Sequence, residues 1–470
     1  MDTSDQSPRP HRVPPPPVPA TFDVDAFDTH GVARVQYKGR PIEVEHAIPG
    51  ERVEALVYGK RRPWAKIVEL LHPSPDRVDA PCPHFHQGCG GCQWQMLSSE
   101  SQIARKLARV EQQISLAGLS TSIGRVHTMK DPWRYRVTAG ISLGRHVGFR
   151  RRGSQSIVGL GDCLISHPLI GRLAASLNVA TEAGDLPDFL GKVGLEVRVV
   201  ESRSPDAHDD RAEDRAPFSL QPAISNLPPG VDSLHCCIVP SPGSPHASID
   251  AVMPLAKFLA RFEHMVGVLY RHRQDAPELL FGEPFAMVPV LGRPFYLSAA
   301  TFFQTNPQLL AALVESLLEA AAATPTDTVV DVYGGVGLFG LLLAPSVRRV
   351  VEIEIDPVGL EAAKRSAALH SLANVQFLTG TAEAILPSVG HAETVVVDPP
   401  RAGLTPKVLA AIGAMRPKRI LYISCQPESM VRDVKDFADQ GYAVGDIEVF
   451  DFYPQTQHVE LFCALTAKSA

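Results

Sequence analysis

No apolar run in the chain is long enough to span a bilayer, so no membrane association is expected. The first twenty residues, MDTSDQSPRPHRVPPPPVPA, hold no hydrophobic segment. That composition is not a signal peptide, and residues 1–20 are expected to form a disordered proline-rich tail in a cytoplasmic protein. No internal repeat is visible, and 470 residues are too many for one ordinary core, so about two to four distinct domains are expected. An excess of positive charge is missing too. The net charge of −6, taken whole, argues against a nucleic-acid partner.

The distribution of that charge reverses the argument. Residues 300–470 hold 12 Lys and Arg against 19 Asp and Glu, which leaves 33 against 32 for the first 299 residues. The basic residues upstream are concentrated in YGKRRPWAK and WRYRVTAGISLGRHVGFRRRG. Local patches of this kind, not the total, steer a polyanion.

Residues 21–75 alternate apolar and polar positions between glycine and proline turns, as a small oligonucleotide-binding barrel does. SSESQIARKLARVEQQISLAGL has the pattern of a serine-capped amphipathic helix. Residues 125–295 read as strand-like, broken by a charged insert at about 202–231 that is expected to be disordered. From residue 296 onward strands and helices alternate, which predicts a doubly wound α/β domain closed by an antiparallel hairpin.

Three stretches of that last domain carry chemistry. VVDVYGGVGLFG is a strand, a glycine turn and a helix, a turn that lets backbone approach a ligand. Such a turn serves nucleotide, flavin and adenosyl sites alike. The next strand ends VEIEID, where Glu354 suits a ribose diol, although an exposed carboxylate at a strand end is the plainer alternative. VVVDPPRAGL ends a strand at Asp398 in a stiff diproline loop. ILYISCQPESM runs a buried strand into Cys425 and then a helix start at Pro427, a position where a helix amino terminus favours a thiolate. A lone buried cysteine is usually inert. Cys425 is read otherwise because it shares one sheet edge with Asp398 and the glycine turn. Near the end, FYPQTQHVE places His458 and Glu460 at the last strand, where a buried carboxylate needs a partner or a task.

The eight cysteines are uneven, and CPHFHQGCGGC puts Cys82, Cys89 and Cys92 in one glycine-rich loop. In a cytoplasmic chain that clustering points to metal or redox chemistry. Cys163 in GLGDCLISHP is the best candidate for a fourth ligand, with His84 and His86 as alternatives. Four thiolates could hold zinc or an iron–sulfur cluster. Cys236, Cys237 and Cys463 lie in apolar strand patterns and read as core.

Taken together, FFQTN, DVYGGVG, VEIEID, DPPRAGL, SCQP and HVE, in this order, resemble the RNA uracil-5-methyltransferase family. The resemblance covers nearly the whole chain from residue 21 and is nearest the 23S ribosomal RNA branch. It implies a Rossmann-like class I methyltransferase domain (296–470), an N-terminal OB-type barrel of the TRAM kind (21–75) and a central β-rich iron–sulfur domain (76–295). It implies S-adenosylmethionine as cofactor, bound by residues similar to Gln304, Tyr333, Glu354 and Asp398. By the same match Cys425 is the nucleophile, Glu460 the general base, and Cys82, Cys89, Cys92 and Cys163 hold a [4Fe-4S] cluster, with zinc the alternative. Gly334 stands where the family often has cysteine, and Leu338 where some members have asparagine.

The chemistry needs such a set. Carbon 5 of uracil is too weak a nucleophile to take a methyl group from a sulfonium unless a thiolate first adds at carbon 6. The uridine must leave its stack to be reached. The basic barrel and the arginines from Arg145 to Arg152 are expected to hold the RNA backbone. The expected activity is methylation of a uridine in 23S rRNA by a monomer. The rivals are a tRNA enzyme on the same scaffold and a non-catalytic RNA-binding protein.

Overall fold

The computed structural model describes residues 16–28, 31–59, 61–200, 232–241, 248–272 and 275–468. Most of the proline-rich tail, the whole 202–231 insert and Lys60 lie outside the described residues. The chain divides into two compact units. One comprises residues 1–81, 92–102 and 455–457, and the other residues 82–91, 103–454 and 458–470.

The first unit is built on β1 (Val18–Asp23), β2 (Arg34–Tyr37), β3 (Arg40–Glu45), β4 (Arg52–Tyr58) and β5 (Trp64–His72). They form one sheet in the order β1-β4-β5-β3-β2. The alternating pattern has its usual cause: Val53, Ala55 and Val57 of β4 point inward onto Ile42, Val44 and Ala65, while the residues between face out. Glu51 is buried, and its carboxylate takes the Arg77 guanidinium and the amides of Ile48 and Ser74. Trp94 stacks on Phe27 and donates its indole N–H to the Gly31 carbonyl at 2.9 Å. The Gln102 side chain ties Trp94, Leu97 and Gln455 together.

The second unit begins with α1 (Pro83–His86), the body of α2 (Ser99–Ala117) and β6 (Ile123–His127). A central sheet follows, from β7 (Thr138–Leu143), β8 (Val147–Arg150), β9 (Ile157–Gly159), β10 (Val193–Val200), β11 (Ser233–Pro240), β12 (Met265–Tyr270) and β13 (Glu278–Gly282). Two helices pass through this region, α3 (Pro168–Ala183) and α4 (Ile249–Leu259). The strand-like expectation for 125–295 missed both, although each opens with a readable cap. His167 precedes Pro168, and the Ser248 hydroxyl accepts the Ala251 N–H. The hairpin β14 (Ala286–Val290) and β15 (Arg293–Leu297) leads on to the last region.

That region alternates as expected: α5 (Pro307–Ala321), β16 (Thr328–Val332), α6 (Leu338–Leu343), β17 (Arg349–Glu354), α7 (Pro357–Leu369), β18 (Val375–Thr379) and α8 (Ala382–Val389). It continues with β19 (Thr394–Val397), α9 (Pro406–Met415), β20 (Arg419–Ser424), α10 (Pro427–Asp439), β21 (Tyr442–Phe450) and β22 (Glu460–Ala467). The sheet order is β18-β17-β16-β19-β20-β22-β21-β6. β16 to β20 run parallel, and β21 and β22 form the antiparallel closure. β16, β19 and the body of β20 are buried from end to end because both faces are covered. Val329, Val350, Val396 and Leu421 pack on one face, and Val330, Val351, Val395 and Tyr422 on the other. The eighth strand, β6, pairs in parallel with β21 and comes from outside the expected 296–470 segment. Among the described residues no helix is long and apolar enough to cross a membrane.

Candidate active site

Strand order reverses between β16 and β19, and ligands of open α/β sheets bind outside the carboxyl ends of the strands at that point. The glycine turn leaves β16 there. Tyr333 takes a left-handed conformation (φ 64°), a cost a non-glycine residue bears where its neighbours fix it. Gly335 and Gly337 follow with φ 59° and 77°. Glu354, at the end of β17, accepts the Gly335 N–H at 2.8 Å and the Asp356 N–H at 2.6 Å. Its carboxylate is thereby fixed beside the turn. A cleft opens here, lined by Tyr333, Ile353, Ile355, Gly380, Thr381 and Glu383. Ile355 is exposed, an apolar surface suited to a flat ring. The free space at Gly335, the fixed carboxylate and this apolar edge fit an adenosyl ligand.

Gly334 leaves room for a buried carboxylate. A Cβ on Gly334, and another on Gly340, would collide with the buried Glu352 carboxylate. Glu352 is buried beside Asp331, which accepts the Gly340 N–H at 2.8 Å. Burial raises both carboxyls, Asp331 to about 7, and the proximity of each to the other adds to the shift of Glu352. At neutral pH the pair keeps a proton.

Gln304 lies elsewhere. It lines a separate cavity with Arg198, Phe303, Val137 and Pro307, and its buried side-chain oxygen has no hydrogen-bond partner among the described residues.

Cys425 immediately follows β20. The β20–β22 register pairs Ser424 with Leu461, so the next step sets Cys425 opposite Glu460. Asp398 leaves the adjacent strand one residue after Val397, the partner of Tyr422. The three groups sense one another electrostatically. Burial pushes the Cys425 thiol up to about 11, with Glu460 and Asp398 adding and a hydrogen-bonded Arg401 opposing. Burial and the two carboxylates thus act against the thiolate that the helix amino terminus and Arg401 favour. Burial also raises Asp398 to about 7, and burial with the Asp398 charge raises Glu460 well above the carboxylate range. Tyr453 sits in the same field. Burial, Glu460, Cys425 and Asp398 all hold its phenol protonated. His458 is depressed to about 4 by burial and by Arg401, Lys106, Arg109 and Arg136, so it stays neutral at physiological pH. Arg109 forks onto Glu428 in the first turn of α10 at 2.8 Å.

The cysteine loop is a second assembly. Cys82, Cys89 and Cys163 are all buried. The Gly90 N–H donates to Arg150 and the Arg152 N–H to Gly88, and the Arg134 guanidinium holds the Cys163 carbonyl. Burial raises the Cys89 thiol to about 11, and the charges of Cys163 and Cys82 add to it. Burial also acts on Cys82, but hydrogen bonds from His84 and Phe85 lower it. Three buried thiols that repel one another as thiolates suit a cationic metal centre. Among the described residues, however, no group of three or more His, Cys, Asp or Glu already stands in metal-holding geometry. Cys92 is buried in the first unit. Two of the arginines expected on RNA also hold backbone: Arg151 donates to the Gln87 carbonyl at 2.6 Å, and Arg150 to Gln155 and Gly191.

Comparison with known proteins bears on the family and the fold. The profile of the tRNA (uracil-5-)-methyltransferases matches residues 286–468. An uncharacterized RNA methyltransferase of Halalkalibacterium halodurans is 30% identical over 473 residues, 96% of this chain and 97% of that protein. Another, from Gloeobacter violaceus, is 30% identical over 93% of each chain. The chain belongs to the RNA uracil-5-methyltransferase family. It is accordingly an S-adenosylmethionine-dependent RNA methyltransferase. Among solved structures, the tRNA (uracil-54, C5)-methyltransferase of Pyrococcus abyssi, in complex with S-adenosyl-L-homocysteine, superposes with a TM-score of 0.67 at 20% identity. That match covers 95% of this chain and all of the other, and it supports the methyltransferase fold.

For a uracil-5-methyltransferase site, sequence reasoning missed Arg401, Tyr453 and the Asp331–Glu352 pair. Arg401 stood inside a quoted motif, where a cation beside a proposed thiol and carboxylate was a usable signal. Tyr453 likewise lay inside the quoted FYPQTQHVE, but only the fold brings its phenol into the field of Cys425, Glu460 and Asp398.

Proposed function

We propose that this enzyme methylates carbon 5 of a uridine in 23S rRNA through a covalent adduct on Cys425. The observation that carries the reading is Cys425 set opposite Glu460 at one sheet edge, with Asp398 and Arg401 beside them. The Cys425 sulfur, ionised and steadied by Arg401, adds to carbon 6 of the flipped uracil. The electron pair moves onto the carbon-4 carbonyl as an enolate. Carbon 5 then takes the methyl group from the sulfonium of S-adenosylmethionine, which leaves as S-adenosylhomocysteine. Glu460 removes the remaining hydrogen on carbon 5 as a proton, the double bond re-forms, and the sulfur departs. Glu460 acts in its ionised form, and its raised proton affinity makes that carboxylate the stronger base for the step. Glu354, oriented by the Gly335 amide, is assigned to the ribose, with Tyr333 and Ile355 at the adenosyl ring. Asp398 is assigned to the cofactor as well, and so by the sequence resemblance is Gln304, although Gln304 lines a different cavity from Tyr333.

The sequence resemblance assigns Cys82, Cys89, Cys92 and Cys163 to a [4Fe-4S] cluster. Cys82, Cys89 and Cys163 fit such a role by burial and mutual repulsion. A bound cluster would supply folding energy to the loops that carry these thiols. The first unit is proposed to bind RNA as a TRAM-type barrel. Tyr58 and Trp64 stack at 4.8 Å, Trp64 is partly exposed, and Arg61 and Arg62 beside it are exposed.

One observation favours a tRNA substrate instead. The Pyrococcus abyssi tRNA enzyme matches 95% of this chain, so the length of chain ahead of the catalytic motifs does not by itself select ribosomal RNA. The test is competitive methyl transfer from labelled S-adenosylmethionine to protein-free 23S rRNA fragments and bulk tRNA at one salt concentration. Modification of the rRNA, with a denaturant-stable protein–RNA adduct in Glu460→Gln, is the expected result. Preferential modification of tRNA overturns the substrate, and no adduct in any variant overturns the mechanism.

A further inference from the structure

Three neighbouring strands of the central sheet each supply a side chain to one short segment ahead of α5. Arg198 of β10 is buried and donates to the Thr301 carbonyl at 2.8 Å and the Ser298 carbonyl at 3.4 Å. His235 of β11 accepts the Ala299 N–H at Nδ1 (2.8 Å), which leaves Nε2 to donate to the Glu283 carbonyl (2.9 Å). Arg271, just past β12, donates to the Ala300 carbonyl at 2.7 Å. Four consecutive backbone groups are thus caught from one sheet. The segment they fix continues into Phe302, whose side chain is 73% exposed, and the buried Gln304.

Arg271 does a second thing. Its Nη1 and Nη2 fork onto the Asp356 carboxylate at 3.2 and 2.9 Å. The Asp356 N–H in turn donates to Glu354, whose other oxygen takes the Gly335 N–H. The Nη1 that holds Ala300 is therefore also on Asp356, and an unbroken run of hydrogen bonds joins the Phe302 segment to the glycine turn. A guanidinium fork is directional as well as strong, so moving either end moves the other.

We propose that Arg271 is a positioning residue that couples the two substrates, so that an occupied ribose site sets the Ser298–Asn306 segment for RNA and bound RNA tightens the cofactor. The proposal rests on the assignment of Glu354 to the ribose. Coupling of this kind is reciprocal in binding free energy, and about 5- to 150-fold is its ordinary range.

The test measures the affinity of the full-length protein for S-adenosylhomocysteine by calorimetry, with and without saturating RNA. The RNA is whichever transcript, 23S fragment or tRNA, proves to be methylated. Wild type is expected to bind at least fivefold tighter with RNA. Arg271→Met and Asp356→Asn are expected to bring that ratio to within twofold of one. Asparagine caps α7 as well as aspartate does, so Asp356→Asn removes the charged fork and keeps the helix start. A clip that merely holds the fold would lower both affinities and leave the ratio unchanged. A wild-type ratio near one, or an undiminished ratio in both variants, overturns the proposal. Glu354→Ala separates the two ideas: unchanged affinity without RNA would remove the ribose assignment itself.

Discussion

Apart from the buried Asp331–Glu352 pair, the two large sheets of the second unit use their polar residues in opposite ways. In the C-terminal sheet, β16, β19 and the body of β20 are buried, and the proposed site residues stand where the strands stop: Tyr333, Glu354, Asp398 and Cys425. In the central sheet, β10 and β11 are almost as deeply buried, yet Arg198 and His235 lie within the strands and spend their hydrogen bonds on backbone. A polar group inside a covered strand has to be satisfied by the protein, and its chemistry is used up in doing so. One at a strand end keeps free lone pairs and a pKa that neighbours can move.

The strongest way to break this contrast is to exchange thiols in the two sheets. Cys425→Ala should cut methyl transfer by about 10⁴-fold or more, with the urea midpoint nearly unchanged. Cys236, fully buried in β11, should behave inversely. Cys236→Ser should cost about 1–3 kcal/mol of stability, because it buries a hydroxyl, and leave turnover per folded molecule intact. Radiolabelled methyl transfer and urea titration of both variants decide it.

Next in size is Arg198→Met. It leaves the Ser298 and Thr301 carbonyls without their charged donor and should cost about 3 kcal/mol in a urea titration. A loss under about 0.5 kcal/mol would mean that the central sheet does not depend on this satisfaction.

The acidic pair beneath the glycine turn sharpens the comparison through pH. Asp331 and Glu352 hold raised pKa values when folded, so they bind protons that the unfolded chain releases above its ordinary carboxylate pKa. Their contribution to stability is complete below about pH 4; the Asp331 part is lost as the pH climbs through about 7, and the Glu352 part as it climbs through that group's own raised value. Glu352→Gln removes one such proton and should flatten the decline between pH 5 and 7 by up to about 1.4 kcal/mol per pH unit. Chemical denaturation at several pH values reads this directly.

The smallest expected change is kinetic. Cys425 and Glu460 must both be ionised during turnover and both are raised, so kcat/KM should rise from neutral pH into the alkaline range. Arg401 is the cation that lowers the thiol, and Arg401→Met should move the rising limb to higher pH by less than about one unit. A limb that stays in place would take Arg401 away from the thiol.

The C-terminal fold was legible because its signal is local. Runs such as TVVDV and TVVV belong to strands covered on both faces, and Pro307, Pro357, Pro406 and Pro427 open the helices between them. Asp398, Cys425 and Glu460 could be placed on one edge for the same reason, since each closes or opens a strand. The central region was harder to read. α3 and α4 sit among strands of similar apolar content, and β6 shows no covered face of its own because three of its five residues are exposed.

By itself, then, the order of residues determined the alternation of strands and helices, the strand ends that carry the proposed site residues, and the cysteine spacing. Tertiary structure alone decided that the Cys425 thiol is raised rather than lowered, that Glu352 fills the space freed by Gly334 and Gly340, and that Arg271 joins two loops 56 residues apart at Ala300 and Asp356. The physical reason is the range of the forces. Backbone periodicity acts over a few neighbouring residues, whereas desolvation and charge depend on whatever the fold brings within a few ångströms, from any distance along the chain.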